Sequence, residues 1–295
     1  MAKQQLSRLL PRALLNMDLS TFVLPTYHNL FRTVVLLLAL ANVKNLLGVW
    51  HYRVFRPFIV RLTRRPKRAV DPNCLFLPSI QRSHAPLLET DFNLHKSNST
   101  YLTDIDITRA NYAVLILGDH VATSPFSKKP KLILGGIQII WRKEIPPYKE
   151  YEMWIRLLTW SDKWFYAVTH FVEKGKFKPA LYLQDMTMTP EATKKMIDES
   201  AEKAKTLKET YAKSIYASAI SRVVIKQGRQ TVKPADMLAQ AGLLPTDAAE
   251  LAKVEERRLK YLKLVEDGGA WDGLHATFFD CTDVALGRYT DLFFR

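Results

Sequence analysis

The chain has 295 residues, is 47% hydrophobic and 24% charged, and carries a formal net charge of +14. This composition supports a sizeable core and excludes a wholly disordered protein. Two cysteines, Cys74 and Cys281, lie far apart with no CxxC or HxxH company, which argues against a zinc site or a disulfide framework and fits a reducing compartment.

The positive charge calls for an anionic partner: nucleic acid, a membrane surface or a small anionic substrate. It is unevenly spread. Arg53, Arg56, Arg61, Arg64, Arg65, Lys67 and Arg68 form a basic run without an acid, directly after the most apolar stretch. That order suits a membrane face better than a nucleic-acid groove.

Residues 31–50 read FRTVVLLLALANVKNLLGVW, nearly pure hydrocarbon until Asn42, Lys44 and Asn45 interrupt. A bilayer core needs about 20 apolar residues, so the stretch is a borderline span, a re-entrant segment or an interfacial helix. A buried helix of the folded domain is the alternative. Trp50, His51 and Tyr52 supply an interfacial belt. If the stretch spans, the heavier basic flank on its C-terminal side places the rest of the chain in the cytosol. The endoplasmic reticulum fits better than the mitochondrion, although residues 1–17 are basic and acid-free. Residues 64–72 read as a linker.

The folded domain is expected over 69–245, between a membrane-associated segment over 1–68 and a helical tail over 246–295. Periodicity predicts a long helix over 98–117, with Ser97 or Asn98 as N-cap and Gly118 as stop. Residues 134–143, 151–160 and 164–173 are rich in β-branched and aromatic types and predict an antiparallel meander, completed by a strand after Lys213. An amphipathic helix from Thr189-Pro190, in a stretch over 175–212 that the family resemblance given below implies is an insertion, and helices over 234–240 and 246–267 complete the list. A long helix followed by an antiparallel sheet makes an α+β domain in which the sheet wraps the helix.

Chemistry concentrates at 91–101, DFNLHKSNSTY. The start of a helix exposes unpaired amides that can polarise a carbonyl oxygen. A carboxylate just upstream, Asp91, can attack that carbonyl or activate a water. No serine elbow, Ser-His-Asp pattern or metal motif competes, and no cofactor or metal is expected. The plainer readings stay open: Asp91 caps a turn, His95 braces it, Ser97 and Asn98 are N-cap residues, and Tyr101 is core.

The run TDFNLHKSNSTYLTDID resembles the D-x-x-G-H-x-N-N-x-x-Y-L signature of hot-dog-fold thioesterases of the 4-hydroxybenzoyl-CoA type. It is most similar to the thioesterase-superfamily-member-six branch and its fungal relatives. The likeness continues through IQIIWRKEIPPYKEYEMWIRLLTWSDKWFYAVTHFV and ASAISRVVIKQGRQTVKPADMLAQAGLLP. It implies a hot-dog fold, with an antiparallel sheet wrapped around a long central helix, an N-terminal membrane-associated helix and C-terminal helices. It also implies a homodimer acting on an acyl-CoA thioester. Asp91, His95 and Asn98 would then form the catalytic set, with Ser97, Ser99 and Tyr101 against the substrate. Leu94, Lys96 and Ser97 depart from the signature at its glycine, an apolar position and its first asparagine. These departures motivate an alternative, a non-catalytic protein that binds acyl groups or scaffolds a membrane complex. A mitochondrial RNA-associated protein is the weaker alternative.

Overall fold

A computed structural model describes residues 27–63, 71–122, 127–183, 194–195, 212–266 and 273–292. The helix expected from Thr189 falls almost wholly outside these residues, as does most of the basic linker.

Five long strands form the sheet: β1 (Ser79–His84), β2 (Lys131–Trp141), β3 (Glu150–Trp160), β4 (Trp164–Glu173) and β6 (Ile215–Gln227). Their order is β2-β6-β4-β3-β1, with every one of these pairs antiparallel. Short strands β5 (Leu181–Tyr182) and β8 (Val284–Ala285) pair with each other, and β7 (Gln230–Val232) pairs with β6. The predicted central helix is α3 (Asn98–Leu117), and it lies along one face of the sheet. Tyr101 and Ile105 pack against Tyr151, Met153 and Phe171. One end further along, Tyr112 and Ile116 pack against Ile155, Leu157 and Val223. A register shift between Leu157 and Thr159 frees the Leu157 amide, which the buried Tyr112 hydroxyl accepts at 2.7 Å. A helix clasped by an antiparallel sheet is the hot-dog arrangement.

The other face of the sheet is covered too, so β3 and β4 are buried on both sides. The cover comes from α5 (Ala248–Glu266) and the short turn Leu274–Asp280, through Tyr261, Leu274 and Phe278. The C-terminal part is thus not helical throughout. Its last described strand, β9 (Gly287–Thr290), pairs in parallel with β1 and adds an edge to the main sheet. Helix α4 (Pro234–Gln240) stands as expected.

Under this cover, Ser218 sits between two imidazoles, its Oγ 2.7 Å from His170 Nδ1 and 2.6 Å from His275 Nδ1. Burial, then Arg156 and His275, hold His170 well below its ordinary pKa, and burial followed by Arg142 lowers His275 to about 4. Both are neutral in the fold, whereas the unfolded chain takes up protons below about pH 6.5. Stability is therefore fully present above that pH and is lost as pH falls towards 4. Melting curves at pH 7.5, 6 and 4.5 should show Tm dropping across that window. His275→Gln should flatten the drop.

The apolar stretch over 31–50 is not one helix. Helix α1 (Tyr27–Ala41) ends after 15 residues, about 22 Å at about 1.5 Å per residue, short of the ~30 Å hydrocarbon core. Asn42 closes it, its amide nitrogen bonding Leu38 O while its oxygen accepts the Leu88 amide. A single 3₁₀ turn (Val43–Asn45) carries Lys44 into the interior, and α2 (Val49–Thr63) follows. Among the described residues no helix is long and apolar enough to cross a membrane, so the spanning form of the N-terminal segment is corrected. The residues that interrupted the apolar run are the ones that turn the chain back onto the domain.

Two members of the basic run, Arg53 and Arg56, turn inward; the side chain of Arg61 and residues 64–68 lie outside the described residues. Arg53 is only 2% exposed, and Arg56 donates to the carbonyls of Thr290 and Asp291 rather than facing outward.

Candidate active site

The stretch that resembles the thioesterase signature folds as a tight hairpin leading into α3. Thr90 and Lys96 bridge, the Asp91 amide donates to His95 O at 3.0 Å, and the Leu94 amide returns to Asp91 O at 3.1 Å. The Asp91 carboxylate takes the Asn93 amide on Oδ1 at 2.9 Å, so it caps the turn. Its Oδ2 lies 3.6 Å from His95 Nδ1. The other imidazole nitrogen lies 3.6 Å from Glu144, a residue the motif did not mark. Asp91 and His95 remain one-quarter and one-fifth exposed, which leaves both accessible from outside.

Leu94 stands at the signature's glycine and has φ of +60°. A left-handed conformation costs an L-residue about 1–2 kcal/mol, which explains why a glycine suits the position. The leucine side chain is 68% exposed, so little packing would be lost on removing it. Leu94→Gly should stabilise the chain by about 0.5–1 kcal/mol once glycine's extra backbone freedom is discounted. Chemical denaturation measures the change. A second non-glycine at positive φ, Tyr148 at +58°, lies in the loop that packs on the hairpin, where Ile145 O accepts the Lys96 amide.

Ser97 is the N-cap of α3 by backbone conformation, but its hydroxyl makes no capping bond and lies 3.2 Å from Ser99 Oγ. Its own amide donates to Glu89 O at 2.8 Å, so it is not free to polarise a carbonyl. The Thr100 amide turns back to Ser97 O. This leaves the amides of Asn98 and Ser99, which among the described residues have no acceptor, at the exposed head of the helix. Of the amides at this helix start, two are thus left to polarise a carbonyl. Asn98 and Ser99 are exposed, and Tyr101 is not: it is 1% exposed and packs edge-on against Phe171, in the core rather than on the site's surface. The structure therefore gathers Asp91, His95, Ser97, Asn98 and Ser99 around one hairpin and helix start.

Beneath the hairpin lies a cluster that sequence patterns did not reveal. Lys44, Arg53 and Lys96 meet Glu89, Asp104 and Asp291, all six buried. Lys96 donates to Glu89 at 2.6 Å and lies 2.9 Å from Asp104. Lys44 reaches the same two carboxylates at 3.0 and 2.9 Å. Arg53 forks onto Asp291 at 2.7 and 2.6 Å and touches Asp104 at 3.0 Å. Tyr151 donates its hydroxyl to Asp104, and Ser83 donates to Asp291. Burial alone would raise the pKa of Asp104, but Lys44, Lys96, Arg53 and the Tyr151 hydroxyl hold it well below the ordinary value. For Arg53, burial alone would lower the pKa, and Asp291 and Asp104 overcome it. Three cations against three anions keep the buried sum neutral, which is what makes such burial tolerable.

No model of a known protein family matches the chain. Individual relatives do. The probable thioesterase atnL of Emericella nidulans is 30% identical over 85% of this chain and 89% of its own length. Thioesterase poxG of Penicillium oxalicum is 32% identical over 83% of this chain and 86% of its own. Among solved structures, the YbaW probable thioesterase of Escherichia coli matches 56% of this chain and 96% of that one, at 10% identity and a TM-score of 0.36. With such identity to atnL and poxG across most of each chain, this chain belongs to the thioesterase family that contains these fungal proteins.

Proposed function

We propose that the chain hydrolyses the thioester of an acyl-CoA, with Asp91 at the reacting carbonyl. What supports this reading is an accessible carboxylate on the hairpin that runs directly into a helix start whose Asn98 and Ser99 amides have no acceptor among the described residues. A thioester carbonyl oxygen placed on those amides gains stabilisation as it becomes an oxyanion. Asp91 removes a proton from water, the water oxygen bonds to the carbonyl carbon, and the carbon–sulfur bond breaks. The proton held by the carboxylate then passes to the departing thiolate. His95, between Asp91 and Glu144, holds the carboxylate's orientation. The relatives' names support a hydrolase over a non-catalytic acyl binder or an RNA-associated protein.

The same reading includes a homodimer on the cytosolic face of the endoplasmic reticulum. Supporting the dimer, β2 is an edge strand of 11 residues whose Ile133, Leu134 and Trp141 are at least 40% exposed. Such an edge recruits a second strand unless covered, and a copy of this chain would cover it. Supporting the membrane, α1 exposes Leu30, Phe31, Val35, Leu36, Leu37 and Leu40 by 47–69%, positions that run right round the helix. A helix apolar on every side belongs in hydrocarbon, and at 15 residues it dips into one leaflet without crossing.

The test is release of free thiol by the full chain across a panel of acyl-CoAs differing in chain length and aromaticity. Turnover of at least one thioester is expected; inertness towards all of them would end the hydrolase reading. Flotation with phosphatidylcholine–phosphatidylserine vesicles tests the membrane part. The wild-type chain should float, and Leu37→Asp paired with Phe31→Asp should stay in the aqueous fraction.

A further inference from the structure

We propose that Lys96, Glu89 and Lys44 are positioning residues of the active site, and that the N-terminal helix pair α1–α2 is thereby built into it. The proposal rests on the reading of the Asp91 hairpin as the thioesterase centre. Lys96, which in the signature's terms is a departure from an apolar residue, becomes on this account the reason the hairpin holds its shape.

The hairpin's tip is closed by its own short-range hydrogen bonds but has little packing to anchor it to the fold. Phe92 is 92% exposed and Leu94 is strained at positive φ, so packing at the tip fixes nothing. What fixes the hairpin is at its base. Glu89 acts there twice: its carbonyl accepts the Ser97 amide, and its carboxylate Oε2 receives both the Lys96 and the Lys44 ammonium. The first contact sets where α3 begins, and with it the direction of the Asn98 and Ser99 amides. The second ties the strand leaving the hairpin to the turn entering it. Lys96 is adjacent to both site elements in the chain, following His95 and preceding Ser97. Its ammonium also reaches Asp104, one helical turn and a half into α3, so a single side chain locks hairpin and helix together.

Lys44 brings the third element. It occupies the corner between α1 and α2, and its ammonium also bonds His84 O at the end of β1. A second tie runs alongside, from the Leu88 amide to Asn42 at the same corner. The 87–89 turn is therefore held at two points by the segment that follows the exposed apolar helix. The charges are buried and water is excluded, so each contact is directional and strong enough to set geometry. Placement errors of about 1 Å at a reacting centre can cost about a hundredfold in rate.

The experiment compares wild type, Lys96→Arg, Lys96→Met and the double variant Glu89→Gln/Lys96→Met in the full chain. The double variant removes one charge of each sign, so it keeps the buried sum neutral and stays folded, whereas Lys96→Met alone is destabilised by unpaired carboxylates. Each is read by kcat and KM for a turned-over acyl-CoA and by amide hydrogen exchange of residues 90–99. The double variant is expected to lose kcat by about tenfold to a hundredfold with KM within about twofold, and to exchange faster in 90–99 while β3 and β4 stay protected. Lys96→Arg should recover part of the kcat. A folded double variant with unchanged kcat and unchanged exchange in 90–99 would overturn the proposal. A wild-type chain inert towards every thioester would instead remove the thioesterase reading, and the exchange comparison would then decide the positioning claim alone.

Discussion

Replacing Arg53 by methionine is expected to lower the stability of the fold by about 3–5 kcal/mol. The guanidinium is buried, forks onto Asp291 and touches Asp104, so its loss leaves two interior carboxylates short of a cation. Methionine retains most of the stem's volume, which confines the change to charge and hydrogen bonding. In urea the midpoint should fall with the slope unchanged. Adding Asp291→Leu to Arg53→Met should cost less than the two single changes summed, because the double variant leaves fewer orphaned charges. A fragment beginning near residue 69 carries the same logic further. It lacks Lys44 and Arg53 together, leaving Glu89, Asp104 and Asp291 with Lys96 alone, and it is expected not to fold. The N-terminal helix pair is thus required by the charge balance of the interior, whatever its outer surface contacts.

Asp91→Asn is expected to abolish nearly all turnover, by about 10²–10⁴-fold, while leaving stability almost unchanged. The choice of asparagine matters. Its side-chain oxygen can still accept the Asn93 amide, which Asp91 holds at 2.9 Å, so the turn keeps its cap. What disappears is the negative charge and the basic lone pair. Alanine would remove the cap as well and confound the two effects. If the aspartate served the turn alone, asparagine would be neutral in both assays.

Much of the fold was readable in the residues. The 98–117 helix announced itself by apolar spacing and by Gly118, whose φ of +51° suits a helix stop. Strands β3, β4 and β6 were marked by β-branched and aromatic runs, and the structure keeps them within a residue or two. Strand β1 was not readable: SIQRSH has no apolar alternation, because Gln81 and Ser83 point at Asp291 instead of at a hydrocarbon core. β9 was missed for a related reason, since a four-residue strand that pairs in parallel with a partner some two hundred residues away leaves no local trace. The apolar stretch over 31–50 misled because hydropathy counts Asn42 and Lys44 as interruptions of a span. In the fold they are the residues that face inward, each with partners supplied from distant segments.

The site divides the same way. Asp91, His95 and the helix start were visible as a local motif, since a hairpin and an N-cap are short-range objects. Glu144, Glu89 and the inward turn of Lys96 were not, because each acquires its role from a contact across the fold. A lysine beside a motif reads as solvated by default, and only the three-dimensional pairing with Glu89 and Asp104 reverses that.

The most direct measurement is thiol release by wild type and Asp91→Asn side by side, on the acyl-CoA that wild type turns over fastest, with melting temperatures taken on the same preparations. Equal melting temperatures are expected, with a variant rate at least about a hundredfold lower. Equal rates from two equally stable proteins would place the chemistry somewhere other than this hairpin.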